Sequence, residues 1–251
     1  MNEIYLICDE SGSKGFSDKD EMFEGEFGVF AGYFLNEKNF QQMLAIFESI
    51  YCKYPVKNGK LHITDLDKTL QEQLRADIFE IFIKNKIPCV YEAISVKGYK
   101  GAADRIADIK NESIKALNKN YSFSKNPHKD RLHSELFQAI FGKSIAYLLD
   151  FFANSKRIIV ITDNIDAPLK KEFENKAIEL IKPFLSGTEI KAFDKNKKRP
   201  VSKEMKFGST ELENDDISNI GFEINVEDNS LTLIADILAN SIHYYFKTGD
   251  Y

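Results

Sequence analysis

Tryptophan is absent from this sequence, cysteine occurs three times and proline six times, and no apolar run is long enough to cross a bilayer. A membrane-spanning helix needs about 18 or more consecutive apolar residues, so no span is expected. The first apolar run is short and closes on Asp9 and Glu10, which does not make a secretory signal. Cys8, Cys52 and Cys89 are odd in number and far apart. They form neither a disulfide framework nor a metal-ligand spacing, so a reducing, cytoplasmic setting is expected. Positive charge is also short: 34 basic against 39 acidic residues leave a net −5. Any nucleic acid would therefore be held by local patches or metal ions rather than by the overall field. Phenylalanine is abundant at 20 residues, a bias with no functional reading.

What is present is an ordinary globular composition, 43% hydrophobic and 29% charged over 251 residues, enough for one substantial domain. The chain is organised around Ile4 to Gly12. Five apolar or aromatic residues run unbroken into Asp9 and Glu10, the pattern of a strand buried on both faces. Ser11 and Gly12 then supply a sharp turn. An acid at the end of a central strand is costly to desolvate unless something positive neutralises it, and a divalent cation is one candidate. The same four residues also make an ordinary polar turn.

The rest reads in order as follows. Phe27 to Leu35 is a glycine-punctuated strand. Asn36 caps a helix from Glu37 to Tyr54, with apolar residues at helical spacing. Leu61 to Leu66 is ambiguous, Leu70 to Lys86 a helix, Ile87 to Lys97 a strand, and Gly101 to Lys119 a weakly amphipathic helix. Tyr121 to Asp130 reads as a loop and Arg131 to Phe152 as a long helix. Arg157 to Thr162 is a second buried strand, ending in Asp163 as the first ended in Asp9. A helix from Leu169 to Phe184 is interrupted near Pro183. Thr188 to Phe193 reads as a strand, Asp194 to Lys206 as a basic loop, and Phe222 to Val226 as a half-buried strand. Ser230 to Phe246 closes the chain as a helix carrying Asp236 within an apolar stripe.

With helical insertions set aside at about 37–86 and 101–127, this is the element order of a single α/β domain with a ribonuclease H-like core. Its mixed sheet has three antiparallel strands, then strands parallel to the first, with helices on both faces. Asp9 and Asp163 would end adjacent parallel strands, where open α/β sheets hold their ligands. Asp236 would lie on the closing helix and Glu135 early in the helix after the third strand. Converging carboxylates repel unless a cation is bound, and hard oxygen ligands select Mg²⁺ or Mn²⁺. Two such ions about 4 Å apart suit phosphodiester cleavage.

Asp9-Glu10-Ser11-Gly12 after an N-terminal strand, Asp163 after a late one, and the closing Leu231, Leu233, Ala235, Asp236 and Ala239 together resemble the bacterial domain-of-unknown-function family 3800. His62, after Leu61, is similar to a motif placed between the second and third strands of such proteins. The resemblance spans nearly the whole chain. It implies a ribonuclease H-like fold, metal-dependent nuclease or related phosphodiester chemistry, and defence against phage and other mobile elements.

On this reading Asp9, Asp163, Asp236 and Glu135 are the catalytic and metal-holding residues. Asn240 and His243 lie one and two turns beyond Asp236 and suit outer positions, as do Ser11, His62 and Asp65. Glu10 points away from Asp9 if the strand continues, which suits solvent or a structural role. His128 and His133 read as surface residues. Lys195, Lys197, Lys198, Arg199 and Lys203, in the basic loop, would hold the backbone of a DNA or RNA substrate; the same run also reads as a solvated loop. The rival reading is a non-catalytic module that keeps the fold and binds nucleic acid or a partner protein. A homodimer is left open.

Overall fold

A computed structural model describes residues 2–15, 19–57, 61–117, 121–122, 131–151, 155–186, 188–194, 196–205 and 220–249. Its centre is a mixed five-stranded sheet. The first strand, β1 (Asn2–Gly12), pairs antiparallel with β2 (Phe27–Asn36), which pairs antiparallel with β3 (Cys89–Ser95). On its other side β1 pairs parallel with a later strand (Ser155–Thr162), and that one with Gly221–Val226. In chain order these two are β5 and β8, and the sheet runs β3-β2-β1-β5-β8.

Helices cover both faces, because the buried strands alternate apolar side chains to either side. One face of β1 and β2 presents Leu6, Cys8, Phe30 and Phe34 to α4 (Leu132–Phe151) and α5 (Ala167–Ser186). Phe137 and Phe173 stack there, with ring centroids 4.1 Å apart. The other face presents Ile7, Tyr33 and Leu35 to α1 (Glu37–Tyr51), α2 (Lys68–Asn85) and the closing helix α6 (Ser230–Thr248). Each large side chain fully buried here contributes roughly 1.5–3 kcal/mol. The helix starts are set by side chains: Asn36 Oδ1, the cap expected from the sequence, accepts from Asn39 N, Asp67 Oδ1 accepts from Leu70 N, and Asn229 forms a capping box with Thr232.

Several boundaries differ from the sequence expectation. β1 does not stop at Asp9 and Glu10 but continues three and two residues further, to Gly12, along β2. Leu61 to Leu66 contains a single 3₁₀ turn, Ile63–Asp65. The helix after β3, α3 (Val96–Leu117), starts five residues before Gly101. Pro183 does not interrupt α5, which runs on to Ser186. Of the expected loop Tyr121 to Asp130, Tyr121–Ser122 is a short strand, β4, and 123–130 lie outside the described residues. The expected basic loop is mostly a hairpin: β6 (Thr188–Asp194) pairs antiparallel with β7 (Arg199–Met205), and β4 completes a separate three-stranded sheet. Among the described residues no helix is long and apolar enough to cross a membrane.

Candidate functional site

The site forms where β1 outlasts one of its neighbours. β1 pairs with β5 only as far as Cys8 opposite Thr162, but with β2 as far as Gly12 opposite Gly28. Asp9 is therefore the first residue of β1 whose β5 side is open. Neighbouring strands lie about 4.8 Å apart, so the register sets Asp163, the residue after β5, level with Asp9. The two share a local geometry: each accepts a hydrogen bond at Oδ1 from the next backbone N–H, Glu10 N at 2.8 Å and Asn164 N at 2.8 Å.

Strand alternation turns Asp9 toward the face that α6 covers. Small residues let that helix come close: Ala31 on β2 and Ala235 and Ala239 on α6 are fully buried. Tyr33 fixes its start by donating to the Leu231 carbonyl at 3.0 Å. This brings the Asp236 carboxyl within electrostatic reach of Asp9. Burial is the largest cause that pushes the Asp9 carboxyl up to about 9, followed by Glu10 and then Asp236, with the Glu10 N–H opposing.

Glu10 falls on the opposite face and is neither a solvent group nor part of the ladder alone. Its side chain is 12% exposed and ion-paired to Lys14, and Glu10 Oε2 lies 3.2 Å from His133 Nε2. The imidazole is close enough to pair when protonated but is not aligned for a hydrogen bond. Burial alone would raise Glu10; His133, the Asp9 carboxyl and Lys14 together hold it below its ordinary value. His133 is thus no surface residue. It is buried on α4 with its ring against Phe30 and Phe173 at 5.5 and 5.0 Å. Its spacing to Phe137 and Ile140 on the apolar stripe was the available signal. Ser11 sits in the ladder opposite Val29.

Glu135 begins α4 as expected but is directed to α5, where it is ion-paired with Lys176. Asp236, Asn240 and His243 do share one face of α6, at i, i+4 and i+7. Asn240 Oδ1 accepts from Arg75 at 2.9 Å, and the same guanidinium donates to Ser241 Oγ at 3.1 Å. Nothing in the sequence marks Arg75 for that role. His243 packs over Gly12 and against Phe27, ring centroids 4.7 Å apart, and burial followed by Lys247 lowers its pKa. His62 and Asp65 are exposed at the 3₁₀ turn. Lys197, Lys198 and Arg199 are exposed where β6 turns into β7, Lys203 stands in β7 opposite Ile190, and Lys195 and His128 lie outside the described residues.

Among the described residues no three His, Cys, Asp or Glu side chains are grouped so as to hold a metal ion. Of the four expected ligands, Asp236 lies within electrostatic reach of Asp9, Asp163 follows the next strand level with Asp9, and Glu135 is engaged with Lys176. No protein-family model matches the chain, and no curated protein matches it.

Proposed function

We propose that this chain is a Mg²⁺- or Mn²⁺-dependent nuclease, or a related phosphodiester-processing enzyme, with a ribonuclease H-like core. The observation that carries the reading is the half-buried Asp9 carboxyl at the open side of β1, raised well above the carboxylate range by burial first, then by Glu10 and Asp236. A divalent cation would compete with the proton there. The donor chemistry fits a hard ion at Asp9 and Asp236, with Asp163 the third candidate ligand. Glu135 does not fit, since Lys176 already neutralises it. The strand order and the resemblance to the domain-of-unknown-function family 3800 support the same reading.

A bound ion would supply Lewis-acid polarisation of a phosphodiester and a hydroxide near neutral pH. The chain's own groups have separate tasks. Asp9 and Asp236 must lose the Asp9 proton before they can ligate. Arg75 donates to Asn240, one turn beyond Asp236, and His243, its pKa lowered by burial and then by Lys247, stands over Gly12 at the end of β1. Glu10 stays ionised on the other face and fixes the backbone of β1 through Lys14 and His133.

The second reading, a binding module without catalysis, draws support from the missing third ligand among the described residues. Titration of Mn²⁺ or Mg²⁺ at pH 8, followed by thermal unfolding and by cleavage of labelled DNA and RNA, separates the two. Metal-dependent stabilisation that disappears in Asp9→Asn and Asp236→Asn supports the enzyme. No change in melting temperature with metal, and no cleavage, favours the binding module.

A further inference from the structure

An aromatic track leads away from the candidate site. His243 rests on Phe27, whose ring lies 5.7 Å from Phe246, which in turn lies 6.2 Å from Tyr91. Tyr244 and Tyr245 continue it on α6. These rings are open to solvent, Tyr91 at 47%, Tyr244 at 49% and Phe246 at 46%. Two adjoining grooves of about 730 and 760 Å³ meet at Tyr91 and Phe246, one along β3 and one between α2 and α6. Isolated exposed aromatics need no explanation, but a contiguous set in a groove marks a binding surface.

Cations are set on the rings. The Arg75 guanidinium lies 5.8 Å from the centre of Tyr244, and Lys143 Nζ 5.8 Å from the centre of Tyr91. Lys68 lines the groove that holds Arg75. β3 is the edge of the sheet, so an added β-strand is the obvious rival occupant. Lys143 opposes it: its Nζ donates to the Tyr91 carbonyl at 2.6 Å and pairs with Glu92 at 2.9 Å, taking up the acceptor an added strand would use. Flat rings spaced along a groove with cations beside them match unpaired bases and phosphates instead. A duplex has its base faces stacked away and cannot use the rings.

We propose that the groove through Phe27, Phe246, Tyr91 and Tyr244 binds single-stranded nucleic acid and leads it to Asp9 and Asp236. The link to those aspartates rests on the nuclease reading; the binding itself does not. Recognition is by stacking and phosphate charge, so it discriminates single strands from duplexes and tolerates any base.

The test is fluorescence anisotropy of labelled oligo-dT, oligo-U and a duplex of equal length with the full chain, in EDTA at 50 and 200 mM salt. Single strands should bind more tightly than duplex and weaken with salt, and the two oligomers report whether DNA or RNA is preferred. Tyr91→Ala and Phe246→Ala should each weaken binding about 5- to 100-fold, while Tyr91→Phe, which keeps the ring, restores it. Circular dichroism monitors folding of each variant. Equal affinity in wild type and both alanine variants would overturn the inference, as would tighter binding of duplex. So would a concentration-dependent dimer that both alanine variants abolish. Single-strand binding with no metal-dependent cleavage leaves the groove standing and removes the catalytic reading; cleavage with unchanged affinity in the ring variants does the reverse.

Discussion

Replacing Asp9 by Asn should make the metal-free protein more stable, and increasingly so as pH rises. The Asp9 carboxyl is raised to about 9 in the fold, against about 3.9 in an unfolded chain. Between those values the folded state holds a proton that the unfolded state has released, so wild-type stability falls with pH. The effect is absent below about pH 4, grows through neutrality and levels off near pH 9. The ceiling on the slope is about 1.4 kcal/mol per pH unit, or about 4 kcal/mol accumulated by pH 7. Asp9 is half-buried rather than sealed, and water relaxation reduces this to roughly 1–2 kcal/mol. Asn removes the ionisation but keeps an N–H donor toward Glu10, so the opposite shift of Glu10 largely cancels in the comparison.

The assay is thermal and urea unfolding of both proteins in EDTA at intervals from pH 5 to 8. The Asn variant should melt roughly 2–8 °C higher at pH 7, and the gap should widen toward pH 8. Added Mn²⁺ should reverse the order, since only wild type gains RT ln(1 + [L]/Kd) from the ion. An Asn variant equal to or below wild type in EDTA, or a gap indifferent to pH, would refute the reasoning that Asp9 is strained by its surroundings.

Two further outcomes follow from the same elements. Gly12 has φ +85°, and an added Cβ would lie 2.5 Å from the Phe27 carbonyl and 2.7 Å from the His243 ring, whereas Gly25, at φ +78°, has open space. Gly12→Ala should therefore cost about 2–4 kcal/mol in urea unfolding and Gly25→Ala only about 1; equal losses would mean that the contact with His243 is not tight. Cys52 is exposed and Cys8 fully buried, its thiol raised by burial and then by Asp9 and Glu10. Alkylation at pH 8 with peptide mass spectrometry should label Cys52 first. Cys89 is exposed as well, but the protein packed around it pushes its thiol up to about 11, so it should follow more slowly, and Cys8 should react only on unfolding.

The sheet was legible where burial acts on both faces. Ile4 to Cys8 and Ile158 to Ile161 are apolar runs that read as central strands; Asp163 directly follows the second strand, whereas β1 runs past Asp9 to Gly12. The closing helix was legible from its stripe, and the alanines at 235 and 239 mark its close approach. Other elements were hidden for physical reasons. Arg199 to Met205 is polar and charged, with no alternation to separate a strand from a loop, and its pairing is fixed by β6 rather than by its own residues. The sequence reading starts the helix at Gly101, whereas α3 already begins at Val96 and runs through Gly98. Pro183 lies in the last turn of α5, where one lost hydrogen bond leaves the earlier turns intact. Glu135 and His133 are two residues apart on α4, about 200° around the helix axis, so only the positions of α5 and β1 decide that Lys176 takes one and Glu10 the other.

That division gives two adjacent acids of β1 different partners. A strand turns successive side chains to opposite faces, so Asp9 meets α6 and Asp236 while Glu10 meets α4, His133 and Lys14. On the α6 face the Asp9 carboxyl is raised above the carboxylate range; on the α4 face Glu10 is lowered beside Lys14 and His133. The helix that carries Asp236 also carries His243 and Phe246, so any force that moves α6 moves the carboxylate and the aromatic groove together. A side-chain truncation that leaves α6 in place should separate the two: Phe246 stands ten residues, nearly three turns, beyond Asp236, so Phe246→Ala should weaken oligonucleotide binding while leaving the pH dependence of unfolding unchanged, and a shifted pH dependence would mean that the ring also sets the position of Asp236.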